Sequence, residues 1–123
     1  MKLPPHRRER YLRDPLPVRL GGIAANLARI ASCADHPQSQ PVIASLLYES
    51  KFFIEWAAPT APVEAATRLA ELQLALVGWE RRLALAADPA PRETLIKFAR
   101  EWSDRILAMS GLLPEPKGGT LQA

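Results

Sequence analysis

Arg29 and His36 are separated by six residues, and their types suit phosphate chemistry. An imidazole can take up or release a proton near neutral pH, and a guanidinium can hold phosphate oxygens. On a helix running through both positions, two turns would align them on one exposed side. Cys33 lies three residues before His36, at the expected end of that helix, but no convincing histidine completes a Ser/His/Asp or Cys/His arrangement. His6 and His36 are the only histidines, and neither stands in a Glu-x-x-His pair. A carboxylate-bridged iron site of the helical-bundle kind is therefore not expected, and a zinc site fails on the same count. "LGG" at 20–22 and "KGG" at 117–119 lack the spacing of a phosphate loop. No metal and no cofactor is expected.

The Arg-x6-His spacing resembles the Arg-x4-6-His element of small all-helical ribonucleases of the HEPN type, which lies near a dimer cleft. That resemblance implies His36 as acid/base and Arg29 as the group stabilising phosphate charge. The sequence departs from the pattern in three ways. The element falls early in the chain, Ile30 rather than a polar residue follows the arginine, and Pro37 sets His36 in a loop.

The chain has 123 residues, of which 48% are hydrophobic, enough for one domain with a core that needs no staples. A single cysteine excludes an internal disulfide and fits a reducing cytosol. No apolar run approaches the roughly 18 residues of a membrane span, and no apolar segment of signal-peptide type follows the basic start. A cytoplasmic protein is expected. The charge is unevenly placed. Residues 1–19 carry Lys2, Arg7, Arg8, Arg10, Arg13 and Arg19 against Glu9 and Asp14, whereas residues 20–123 carry ten basic and eleven acidic side chains. Arg7, Arg8, Arg10 and Arg13 thus form an electrostatic arm on a neutral body, either solvated and disordered or a docking arm for nucleic acid or an acidic partner.

Proline-containing breaks divide the rest. Pro4, Pro5, Pro15 and Pro17 argue against a continuous helix in the arm (1–17). Leu20, Ile23, Ala24, Leu27, Ile30, Ala31 and Ala34 make the stripe of a first helix, which ends at "DHPQSQP". A second helix runs from an N-cap at Ser39 to about Ala58, and a third, capped by Thr60, covers about 61–87. Asp88 would cap a fourth, striped by Leu95, Phe98, Ala99, Trp102, Ile106, Met109 and Leu113, with Gly111 near its end. Residues 114–123 are expected to form a short disordered tail. No stretch alternates with period two. The fold class is all-α: an antiparallel up-down-up-down four-helix bundle (18–113) flanked by a flexible basic arm and that tail.

Placed at 100° steps, Ile43, Leu46, Leu47, Ser50, Phe53, Ile54 and Ala57 share an arc of about 120° on the second helix. Phe52 and Trp56 fall on the other side as an i,i+4 pair. On the third helix, Val63, Ala70, Leu74 and Val77 lie roughly opposite the main stripe of Ala65, Leu69, Leu72, Leu76, Trp79, Leu83 and Ala87. Two accounts stay open. The arm folds back so that Tyr11, Leu12 and Leu16 cover Phe52 and Trp56, or these rings with Leu74 and Val77 form a protein–protein surface, most simply that of a homodimer. Desolvating the two rings on each copy would contribute roughly 6–12 kcal/mol, against an association cost of about 4–15 kcal/mol, so the leucine strip must add to the pair. Gly21, Ala25, Ala28 and Ser32 make a small-residue strip on the first helix, while Lys51 with Glu55 and Arg100 with Asp104 have the spacing of surface ion pairs.

The segments "VIASLLYESKFFIEWAAP" and "FAREWSDRILAMSGLL", with a tryptophan midway along the third helix, resemble a group of short cyanobacterial helical proteins of uncharacterised function. The likeness covers about residues 18–113. It implies a bacterial cytosol or a thylakoid-associated setting and supplies no activity. The residues point first to a non-enzymatic interaction or adaptor module that associates with itself or another protein. A nucleic-acid-associated protein using the arm comes second, and the HEPN-like ribonuclease third.

Overall fold

The computed structural model describes residues 3–85 and 92–111, and every regular element among them is helical. Helix α1 spans Pro5–Arg13, α2 Leu16–Cys33, α3 Gln40–Ala57, α4 Val63–Leu85 and α5 Arg92–Ser110. Single 3-10 turns, Pro37–Ser39 and Ala58–Thr60, lead into and out of α3. The expectations for Ala87, Asp88, Leu113 and the tail from 114 fall outside the described residues, as does Lys2.

The arm is the main departure from expectation. Its prolines do prevent one continuous helix, but two of them mark helix starts, so the arm is helical rather than flexible. Pro5 opens α1 and Pro17 sits in the first turn of α2, where the missing N–H would have had no helical partner. Asp14, extended at ψ 148° ahead of Pro15, ends α1. Helix α2 therefore begins at Leu16, two residues before the expected bundle boundary. At the far end Gly111 takes φ 75°, the left-handed geometry that stops α5 at Ser110.

Helix α2 packs chiefly against α5 and α3, α3 packs against α4, and α1 lies against α3. The α2 stripe from Leu20 to Ala34 and the α3 stripe from Ile43 to Ala57 are buried at every position named from the sequence. On α4 Leu69, Leu72, Leu76 and Trp79 are buried, while Ala65 and Leu83 are half-buried. On α5 Leu95, Ala99 and Ile106 are buried, with Phe98, Trp102 and Met109 at the margin of the core. Arg82 and Arg105 lay their guanidinium groups over Trp79 and Trp102 at 4.4 and 4.9 Å, covering the outer faces of the indoles.

Three local expectations change. The small-residue strip Gly21, Ala25, Ala28 and Ser32 is not a close-packing face, since Ala25, Ala28 and Ser32 are exposed. The close approach of α2 and α5 occurs one step round the helix, where the Ser103 hydroxyl donates to the Ala24 carbonyl at 2.8 Å beside the buried Ala99. Lys51 pairs across to Glu80 of α4 at 2.6 Å rather than along its own helix to Glu55. Thr60 does not cap α4. Its hydroxyl donates to Ala57 O and accepts from Arg19 Nη1, and the Pro62 carbonyl accepts from the Ala66 N–H at the start of α4. Ser39 stands at the N-cap of α3 without a side-chain capping bond.

Candidate interaction surface

Helix α1 is fixed to the body by two residues one helical turn apart. Tyr11 is only 8% exposed. Its ring stacks on Phe53 with centroids 4.2 Å apart, meets Trp56 at 5.7 Å, and its hydroxyl donates to the Arg19 carbonyl at 2.8 Å. Burial pushes the Tyr11 phenol above its ordinary value, the neighbouring Arg19 charge opposing and Asp14 reinforcing that shift. Arg7 donates to Glu49 Oε2, and the other carboxylate oxygen accepts from Asn26 Nδ2 at 3.1 Å. Asn26, buried in α2, also donates to the fully buried Ser50 at 3.3 Å. One carboxylate on α3 thus joins α1 to α2, and buried polar groups are satisfied where three helices meet.

This docking changes the setting of the residues expected to form one patch. Trp56 is half-buried against Tyr11 and the core, and its ring also meets Phe52 at 5.7 Å, so the expected i,i+4 pair is formed. Of the alternatives left open by the sequence, α1 does fold over the aromatics, but it covers Phe53 and Trp56 instead of Phe52. Phe52 is half-buried, edge-on to Tyr48 at 5.1 Å, and faces the α3–α4 seam. There it lines a groove of about 160 Å³ with Lys51, Glu55, Gln73 and Val77. Gln73 Oε1 is buried in this region without a hydrogen-bond partner. Beside the groove the outer face of α4 carries Val63 at 82%, Leu74 at 76% and Val77 at 39% exposure, with Ala70 also exposed. Phe52, Leu74 and Val77 therefore belong to one surface. The buried Gln73 oxygen could not be read from spacing, because its burial depends on tertiary packing.

The four arginines of the arm are also divided. Arg7, Arg10 and Arg13 line one concavity of about 360 Å³ with Tyr11 and Asp14, while Arg8 is exposed away from it. Arg29 is exposed on α2, which ends at Cys33, and His36 is exposed in the extended link before Pro37. No helix runs through both, so the two-turn alignment that suggested ribonuclease chemistry is not formed. Among the described residues no group of three or more His, Cys, Asp or Glu converges on a point, and no helix is long and apolar enough to cross a membrane.

Comparison with protein-family models, with curated proteins and with solved structures finds no match.

Proposed function

We propose that this chain is a non-enzymatic interaction module that self-associates through the outer face of α4 and the adjoining Phe52 groove, and that it works in the cytoplasm. The observation that carries the reading is the exposed row Val63, Leu74 and Val77 beside a groove holding an unpartnered amide oxygen. A second copy would cover the row. Burying Val63 and Leu74 on both copies contributes roughly 6–12 kcal/mol, with Val77 and Phe52 adding less because they are already half-covered. Against an association cost of about 4–15 kcal/mol, this favours a weak, concentration-dependent dimer.

The same proposal takes α2–α5 as an antiparallel up-down-up-down bundle. Arg19 with Thr60 and Asn26 with Ser50 pair α2 and α3 in opposite senses. Phe52 and Val77 lining one groove, with the Lys51–Glu80 pair, support the same relation for α3 and α4. Self-association is tested by thermal unfolding over a hundredfold range of protein concentration. The midpoint of a dimer linked to folding rises with concentration. A midpoint independent of concentration would contradict it.

A further inference from the structure

We propose that α1 is a docking site for the phosphodiester backbone of duplex nucleic acid, gripped by Arg7, Arg10 and Arg13. The proposal is independent of the α4 surface.

Three arginines and a single acidic residue, Asp14, line the concavity beside Tyr11 on α1. Arg10 and Arg13 are exposed, and among the described residues neither is in an ion pair. Arg7 is held by Glu49, which fixes the inner edge of the cluster. A disordered arm of the same charge would lose conformational entropy on binding. Here the Tyr11 stack and the Arg7–Glu49 pair have already ordered the helix, so its cations are presented in advance.

The surroundings choose among polyanions. A helix lying on a lipid surface needs an outward apolar face. On α1 Tyr11 is buried and Leu12 is packed against the core, leaving charge outward. Single strands are held largely by stacking bases on free aromatic rings. The Tyr11 ring is already stacked on Phe53. What remains is attraction to phosphates, which positions a duplex without reading its bases.

The test uses the full chain, freed of carried-over nucleic acid at high salt, and the anisotropy of a labelled duplex of about 20 base pairs. With two to three phosphates neutralised, affinity should fall roughly 10- to 40-fold between about 50 and 200 mM salt. It should be alike for unrelated sequences. Arg10→Gln/Arg13→Gln, at exposed positions, should weaken binding by about tenfold or more at the lower salt with the thermal midpoint kept. Absence of binding at low salt, or binding indifferent to the double substitution, would overturn the proposal. So would tighter binding to phosphatidylserine vesicles or to a single strand of the same length. Inorganic tripolyphosphate binding more tightly than the duplex would assign the cluster to a small polyphosphate and overturn the duplex reading.

Discussion

The Tyr11 ring of α1 lies flat on the Phe53 ring of α3, with centroids 4.2 Å apart and planes 11° from parallel. Together with the hydroxyl bond to the Arg19 carbonyl, this contact makes a basic segment part of the folded body. It also draws Trp56, which still meets Phe52 at 5.7 Å, against the core.

Replacing Tyr11 separates packing from hydrogen bonding. Tyr11→Ala is expected to cost about 3–5 kcal/mol, the usual range for a large buried ring, and to shift Trp56 fluorescence to longer wavelength as α1 lifts. Tyr11→Phe keeps the stack and loses one hydrogen bond, at about 0.5–1.5 kcal/mol. Urea unfolding followed by fluorescence measures both.

The same residue gives a pH dependence. The folded state raises the Tyr11 pKa, chiefly through burial, so folding favours the neutral phenol. Its contribution is complete below the unfolded value near 10 and is lost as pH rises above it. Native protein should therefore lose stability relative to Tyr11→Phe between about pH 9 and 11, and below that window the difference between them should be constant. Urea midpoints of the two proteins across that range measure it.

Asn26 and Glu49 are expected to be energetically coupled. Asn26→Ala leaves Ser50 and one Glu49 oxygen without their donor, and Glu49→Gln weakens the hold on Arg7. Each should cost about 1–3 kcal/mol. The double variant should cost less than the sum, with a coupling of about 0.5–3 kcal/mol in a denaturant double-mutant cycle.

Ser103 is buried where α5 meets α2 and donates to the Ala24 carbonyl. Ser103→Ala should lose about 1 kcal/mol with its bond to Ala24 O. Ser103→Leu should lose more, from about 1–3 kcal/mol of overpacking. Thermal unfolding of the two variants ranks them.

Much of the fold was legible because a helix repeats every 100°, and the α2 and α3 stripes could be projected from spacing alone. The exposed Leu74 and Val77 were legible for the same reason. The contact of Tyr11 with Trp56 was one of two open accounts, and periodicity could not choose between them because Tyr11 is distant in the sequence. The prolines do stop one helix from running through the arm, at Asp14–Pro15, but a proline also suits a first turn, so they did not exclude the two helices found there. Lys51 had one acid on its own helix and another on α4, and spacing could not choose between Glu55 and Glu80. His36 lost its alignment with Arg29 through the early end of α2, which Pro37 had already hinted at.

The most direct test of the central claim is the solution mass by light scattering, measured side by side for the native chain and Leu74→Glu. Leu74 is 76% exposed within one copy, so the substitution should leave the fold of that copy intact, as circular dichroism would show. The account predicts a native mass that rises toward twice 13.6 kDa with concentration, and a folded Leu74→Glu that stays at the single-chain mass. A native chain that remains at 13.6 kDa throughout, or a Leu74→Glu variant that dimerises as the native does, would contradict it.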